Sequence, residues 1–250
     1  MKLLKIFPVA ISLTLLSLSL YSPQADARRR YYRPRRIRPY KGRTVPKATR
    51  GGCEQTPTNQ RLTPIAPISH IGQTATATPT VYWYVPDKST YNITFRLWEQ
   101  LSPEKGKILW TQKQIKSQNG LMQLTLPNDA QLSPNKNYFW QVVLKCNPSK
   151  PSRDQVISAH ITYRPDIKTD IKSSKPADMV EQLTQAELWY DALKVAHNRP
   201  TLYKQLLEDL QQLETDALKS EDWTKNQTLR LTTHQQNLSQ LLTPSQPVTN

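Results

Sequence analysis

Four histidines, His70, His160, His197 and His234, are the side chains best suited to base or ligand work, and each falls in a different part of the 250-residue chain. Nucleophilic catalysis needs a nucleophile, a base and an orienting group within hydrogen-bond reach, and a zinc centre needs four ligands at close spacing. Neither pattern is present. The chain has no Gly-x-Ser-x-Gly, no His-Glu-x-x-His and no phosphate-cradling glycine loop, with only six glycines in all. His160, inside ISAHITY, reads as a structural histidine on a strand face. The acids between 51 and 165, namely Glu54, Asp87, Glu99, Glu104, Asp129 and Asp154, stand singly and mostly in turns. Glycoside hydrolysis needs two carboxyl groups facing one cleft about 5–9 Å apart, and isolated turn acids are ordinarily just solvated. A carbohydrate-active enzyme is therefore the weakest reading. The expectation is a protein that is no enzyme and that uses no cofactor and no metal.

Three other groups of residues carry usable chemistry. Cys53 and Cys146 are the two cysteines. In an exported chain an even count argues for pairing, with two isolated buried thiols as the alternative. A bridge would close a loop of about 92 residues, worth roughly 4–5 kcal/mol on the chain-entropy model. The aromatic residues of TVYWYV (80–85), YNITFRLWEQ (91–100) and NYFWQVVLKC (137–146) could stack on sugar rings if displayed outward. Large rings are also the ordinary filling between two sheets. Trp83 and Trp98 are the two candidates for ligand stacking. The third group is cationic. Between Arg28 and Arg50 lie nine arginines and two lysines with no acid, interleaved with Tyr31, Tyr32, Tyr40 and prolines. Such a run neutralises phosphates or carboxylates, and each basic residue near an anionic surface contributes about 1 kcal/mol. Arg28, Arg29, Arg30, Arg33, Arg35, Arg36, Arg38, Lys41 and Arg43 are the expected contacts.

The elements that carry these residues set their context. Lys2 and Lys5 precede a 15-residue apolar run, Ile6 to Leu20, and Ala25-Asp26-Ala27 offers the small residues of a cleavage site. That run is shorter than the roughly 20 residues a spanning helix needs, so residues 1–27 read as a removed export signal. Of the net charge of +15, residues 1–27 carry +1 and residues 28–50 carry +11, leaving only +3 for residues 51–250. The basic character thus belongs to one segment, read as a disordered tail over 28–50 because it has little to bury. An exported chain meets little nucleic acid, so the expected partner is an anionic envelope component, a lipid headgroup or an acidic polysaccharide. A solvated spacer is the plainer alternative.

Residues 51–165 alternate with a period of two. Strands are expected over 80–85, 91–100, 107–115, 121–127, 137–146 and 156–164, with Asn119-Gly120 as a hairpin turn. Short strands at this spacing predict an antiparallel β-sandwich, and Tyr138 entering its strand predicts a hydroxyl bonded back to the backbone at an immunoglobulin-like corner. A polar linker follows over 166–178. One amphipathic helix is then expected over 179–196 from Leu183, Ala186, Trp189, Leu193 and Ala196. A second starts at Pro200, and a third is capped around Ser220-Glu221-Asp222 and runs to Leu241, before a frayed end over 244–250. AELWYDALKVA has the aromatic and alanine spacing of a tetratricopeptide helix, but one unit makes no array.

Taken in order, RGGC (50–53), LTPIAPISHIGQTATATPTVYWYVP (62–86), YFWQVVLKCNPSKPSRD (138–154) and AELWYDALKVA (186–196) resemble the cyanobacterial proteins grouped as domain-of-unknown-function family 928. The resemblance covers roughly residues 50–215 and implies that Cys53 and Cys146 belong together and that a short helical segment follows the β-domain. It implies no activity, and the arginine run lies outside it. The whole reads as mainly β with α: an immunoglobulin-like antiparallel sandwich over 51–165 and a small helical hairpin or bundle over 179–243. The expected function is non-enzymatic binding at the cell envelope by a periplasmic or extracellular protein. The alternative is an adaptor whose helical segment docks on a partner protein.

Overall fold

The computed structural model describes Tyr32, Pro34, Cys53 and residues 60–102, 105–167, 173–219 and 223–243. The expected signal over 1–27 and the terminal 244–250 lie outside the described residues, as does all of the basic run except Tyr32 and Pro34.

Among the described residues eight strands form two sheets. In chain order they are β1 (Thr63–Pro64), β2 (Gly72–Thr74), β3 (Thr80–Val85), β4 (Asn92–Gln100), β5 (Gly106–Lys116), β6 (Gly120–Thr125), β7 (Asn137–Lys145) and β8 (Gln155–Tyr163). One sheet has the order β1-β3-β6 and the other β2-β8-β7-β4-β5. Every pair is antiparallel except β2 with β8, which is parallel. The crossover from β1 to β2 therefore passes from one sheet to the other. Alternation in the long strands turns Ile93, Phe95 and Leu97 of β4, and Tyr138, Trp140, Val142 and Leu144 of β7, into the core. Trp83 of β3 meets Phe95 of β4 with ring centroids 6.2 Å apart, and Phe95 stacks on Trp140 at 6.3 Å. These rings fill the space between the sheets, so the arrangement is sandwich-like.

The strands fall where period-two alternation puts them, within one or two residues at their ends. β1 and β2 are absent from that expectation. Two and three residues long, they are too short to alternate.

Four helices follow among the described residues: α1 (Pro176–Gln185), α2 (Trp189–Ala196), α3 (Pro200–Leu218) and α4 (Lys225–Leu242). Among the described residues strand and helix take equal shares, 55 residues each, so the expectation of a mainly β protein is corrected to a mixed one. The single helix expected over 179–196 is two. The chain breaks at Ala186–Leu188, where Glu187 takes φ 63°, the left-handed region. The break lets Trp189 and Tyr190, side by side in sequence, both turn into the protein. The start of α4 is also corrected: Thr224 caps it, accepting from Gln227 N–H while the Gln227 side chain accepts from Thr224 N–H.

The helices close the sandwich at its β1–β2 side, α2 against β2 and β3, α4 against β1. Trp189 Nε1 donates to the Ile65 carbonyl at 3.2 Å. The Tyr190 hydroxyl accepts from Trp140 Nε1 at 2.9 Å and donates to the His160 carbonyl at 2.9 Å. Gly72 makes room for this ring, because a Cβ there would sit 2.8 Å from Tyr190 Cε2. α3 and α4 pair as an antiparallel hairpin, with Leu206, Leu210, Leu231 and Leu238 buried. Helices and sheets thus share one core.

Candidate functional site

Polar side chains are concentrated where the crossover meets the helices. Ser69 and His70 lie on the crossover, Asp209 and Glu214 on α3, and Arg230 and His234 on α4. Glu214 is fully buried, and its Oε1 accepts from Ile68 N–H at 2.7 Å and from Ser69 N–H at 3.3 Å. His234 Nε2 lies 3.0 Å from the Pro64 carbonyl, and Nδ1 faces Glu214 Oε1 at 3.8 Å. Burial pushes the Glu214 carboxyl up to about 7, against the pull of its backbone partners, of the Ser69 side chain and of Arg230. Burial also pushes His234 down to about 4, and Arg230 downward, with the Glu214 charge working the other way on Arg230. Ser69 Oγ meets His70 Nδ1 at 3.1 Å, and His70 Nε2 meets the Tyr32 hydroxyl at 2.9 Å.

Tyr32 is the residue that sequence reasoning missed. It belongs to the run expected to be disordered, yet it is 2% exposed. Its ring lies edge-on to Trp189 at 5.0 Å and stacks on His70 at 5.7 Å, and its N–H donates to Asp209 Oδ2 at 3.3 Å. At this residue the expectation of a segment with nothing to bury does not hold. The signal was there in part: two adjacent tyrosines in an otherwise aliphatic-poor run are burial material. What the sequence could not supply was the socket, built from residues 38 to 177 positions away.

The chain is held again at Cys53. Cys53 and Cys146 form a disulfide across a separation of 93, which settles the choice between a bridge and two thiols. The bond ties the segment leading into β1 to the end of β7. Gln155 braces it: Nε2 donates to Cys53 Sγ at 3.8 Å while Oε1 accepts from Leu62 N–H at 3.3 Å. Between Tyr32 and Cys53 lie eight cations and no acid. The nine expected anion contacts, Arg28, Arg29, Arg30, Arg33, Arg35, Arg36, Arg38, Lys41 and Arg43, all lie outside the described residues.

The two stacking candidates part company. Trp83 is 0% exposed between the sheets and presents no face to a ligand, so it is corrected to a core residue. Trp98 lies on the other face of its sheet, half-buried, with its ring flat on Phe139 at 5.4 Å and 10°. The same row continues to His160, 5.9 Å from Phe139. His160 is buried, which pushes it down to about 4. His197, at the end of α2, donates from Nδ1 to the Lys194 carbonyl and lies 5.1 Å from Tyr82. Among the described residues no group of three or more His, Cys, Asp or Glu could hold a metal ion, and no helix is long and apolar enough to cross a membrane.

Two facing sheets, an aromatic core, one disulfide and a helical unit plugged into the open side define the class: a mixed β and α domain whose polar centre is an internal junction. The chain belongs to the family described as Domain of Unknown Function (DUF928), whose model matches residues 45–226. No curated protein and no solved structure matches it.

Proposed function

We propose that this is an exported, non-enzymatic binding protein that holds to an anionic component of the cell envelope through its arginine-rich segment. The observation that carries the reading is the placing of charge relative to anchors. Tyr32 is fixed in the core and Cys53 in a disulfide, and eight of the cations stand between them without an acid. Both residues that flank the eight cations, Tyr32 and Cys53, are thus held by the folded body, and the run between them is called the basic strap. Removal of the signal after Ala27 makes Tyr32 the fifth residue of the mature chain, so the anchor lies at the very start of the exported protein.

The strand order supports an immunoglobulin-like reading of the sandwich. β1-β3-β6 opposite β2-β8-β7-β4-β5, with a first strand divided between the sheets, is the arrangement expected of such domains. Ser133 N–H donates to the Tyr138 hydroxyl at 2.9 Å, five residues upstream, as a tyrosine corner requires. The adaptor reading has less behind it. α2, α3 and α4 spend their apolar faces on the sheets and on one another, and Leu229, 60% exposed, is the large apolar side chain they leave outside among the described residues.

The test compares the chain from Arg28 onwards with a variant in which the eight arginines and lysines from Arg33 to Arg50 become glutamine, keeping Tyr32 and Cys53. Each is sedimented with phosphatidylglycerol vesicles, with phosphatidylcholine vesicles and with an acidic polysaccharide. Binding of the parent to an anionic probe, weakening with salt and lost in the variant, is expected. Equal sedimentation of both proteins removes the reading, and the probe that binds tells lipid from polysaccharide.

A further inference from the structure

The Glu214–His234 pair faces itself with too few protons. A carbonyl only accepts, so His234 Nε2, 3.0 Å from Pro64 O, carries the ring hydrogen. Nδ1 of the neutral ring is then a bare lone pair, and it points at Glu214 Oε1 3.8 Å away. That oxygen already accepts two backbone N–H groups, while Glu214 Oε2 and His234 Nδ1 are buried with no hydrogen-bond partner. An ionised Glu214 would place a charge with one bare oxygen against a lone pair in a dry site. A protonated His234 would add a second cation beside Arg230. One proton on the carboxyl removes both conflicts, at the cost of the Glu214 counter-charge to Arg230.

We propose that Glu214 and His234 form a one-proton latch: the closed junction keeps a single proton on Glu214, and when α3 and α4 let go of the crossover that proton leaves the carboxyl and the imidazole takes one up. The proton count is then the same before and after opening, and the grip does not depend on pH between the ordinary carboxylate and imidazole ranges. The upward displacement of Glu214 and the downward one of His234 agree with this assignment. The other charged and titratable groups around the junction are Arg230 on α4, Asp209 on α3, His70 on the crossover, Tyr32 ahead of β1 and His160 on β8. Glu187 and Tyr190 act on it through Tyr32. The crossover that the latch grips also carries His70, which meets the Tyr32 hydroxyl, so latch and Tyr32 anchor share one segment. This holds whatever the basic strap binds.

The pair is tested by urea unfolding at pH 6.5 and pH 5 of the chain from Arg28 onwards and of Glu214→Gln, His234→Gln and the double variant. Relative to the parent, the unfolding constant of Glu214→Gln should rise by about tenfold as pH falls over this range, and that of His234→Gln should fall by about tenfold. The double variant should follow the parent's pH dependence. Shifts in one common direction, or none with pH, overturn the latch. Should a single variant fail to fold, nitrogen-15 histidine spectra of the parent at pH 5.5 decide. A neutral His234 ring with its hydrogen on Nε2 is expected, and an imidazolium at that pH overturns the assignment.

Discussion

Tyr190 shows how much one side chain can join. Its hydroxyl links Trp140 of β7 to the backbone of β8 from a helix that begins one residue earlier. Tyr190→Phe keeps the ring and strands a buried indole N–H and a carbonyl, which should cost about 1–3 kcal/mol. The measurement is the urea midpoint, and an unchanged midpoint would show that the two groups find other partners. His160 gives a second prediction at this scale. Its folded value lies near 4, below the ordinary imidazole value of about 6.5, so its neutral burial adds stability fully present above that value and lost as pH falls toward 4. His160→Gln should therefore lose on the order of 2 kcal/mol less than the parent between pH 7.5 and pH 5. Equal losses in both proteins would mean that His160 takes no part in acid sensitivity. Neither role is legible in the sequence. ISAHITY puts His160 on a strand face, but what buries that face is set by residues far along the chain.

At the scale of elements, alternation together with β-branched and aromatic composition made six strands legible, each at least six residues long. The break between α1 and α2 was not legible. Leu183, Ala186, Trp189, Leu193 and Ala196 keep helical spacing across it, and only the tertiary demand to bury Trp189 and Tyr190 together interrupts the helix. β2 is positioned by the same demand. Gly72→Ala would drive a methyl group to 2.8 Å from the Tyr190 ring, a cost of about 1–3 kcal/mol read from the thermal midpoint. A neutral substitution would show that α2 can slide outward. The disulfide closes a loop over a separation of 93, so its reduction should cost about 4–5 kcal/mol. Urea unfolding with and without reductant measures it, and coincident curves would mean that the helices and β7 already restrain the unfolded chain as much as the bond does.

For the whole molecule, the governing fact is that +11 of a net +15 lies in residues 28–50 while the rest is nearly neutral. That division was legible from composition. The anchoring of the basic segment was legible only at Cys53. Its other end, Tyr32, is fixed by a socket of His70, Trp189 and Asp209 that no local pattern announces. One consequence concerns how the segment is to be altered. Deleting 28–50 outright also removes a buried ring and should destabilise the fold by about 3 kcal/mol or more, so the charges must be removed with Tyr32 left in place. The most direct test fractionates envelopes from cells exporting either the parent or the variant with its eight arginines and lysines from Arg33 to Arg50 changed to glutamine, washed with rising salt. The account predicts that the parent stays with the envelope at low salt and is released as salt rises, while the variant is soluble from the start. Retention of both proteins through every wash, or free solubility of both, would contradict it.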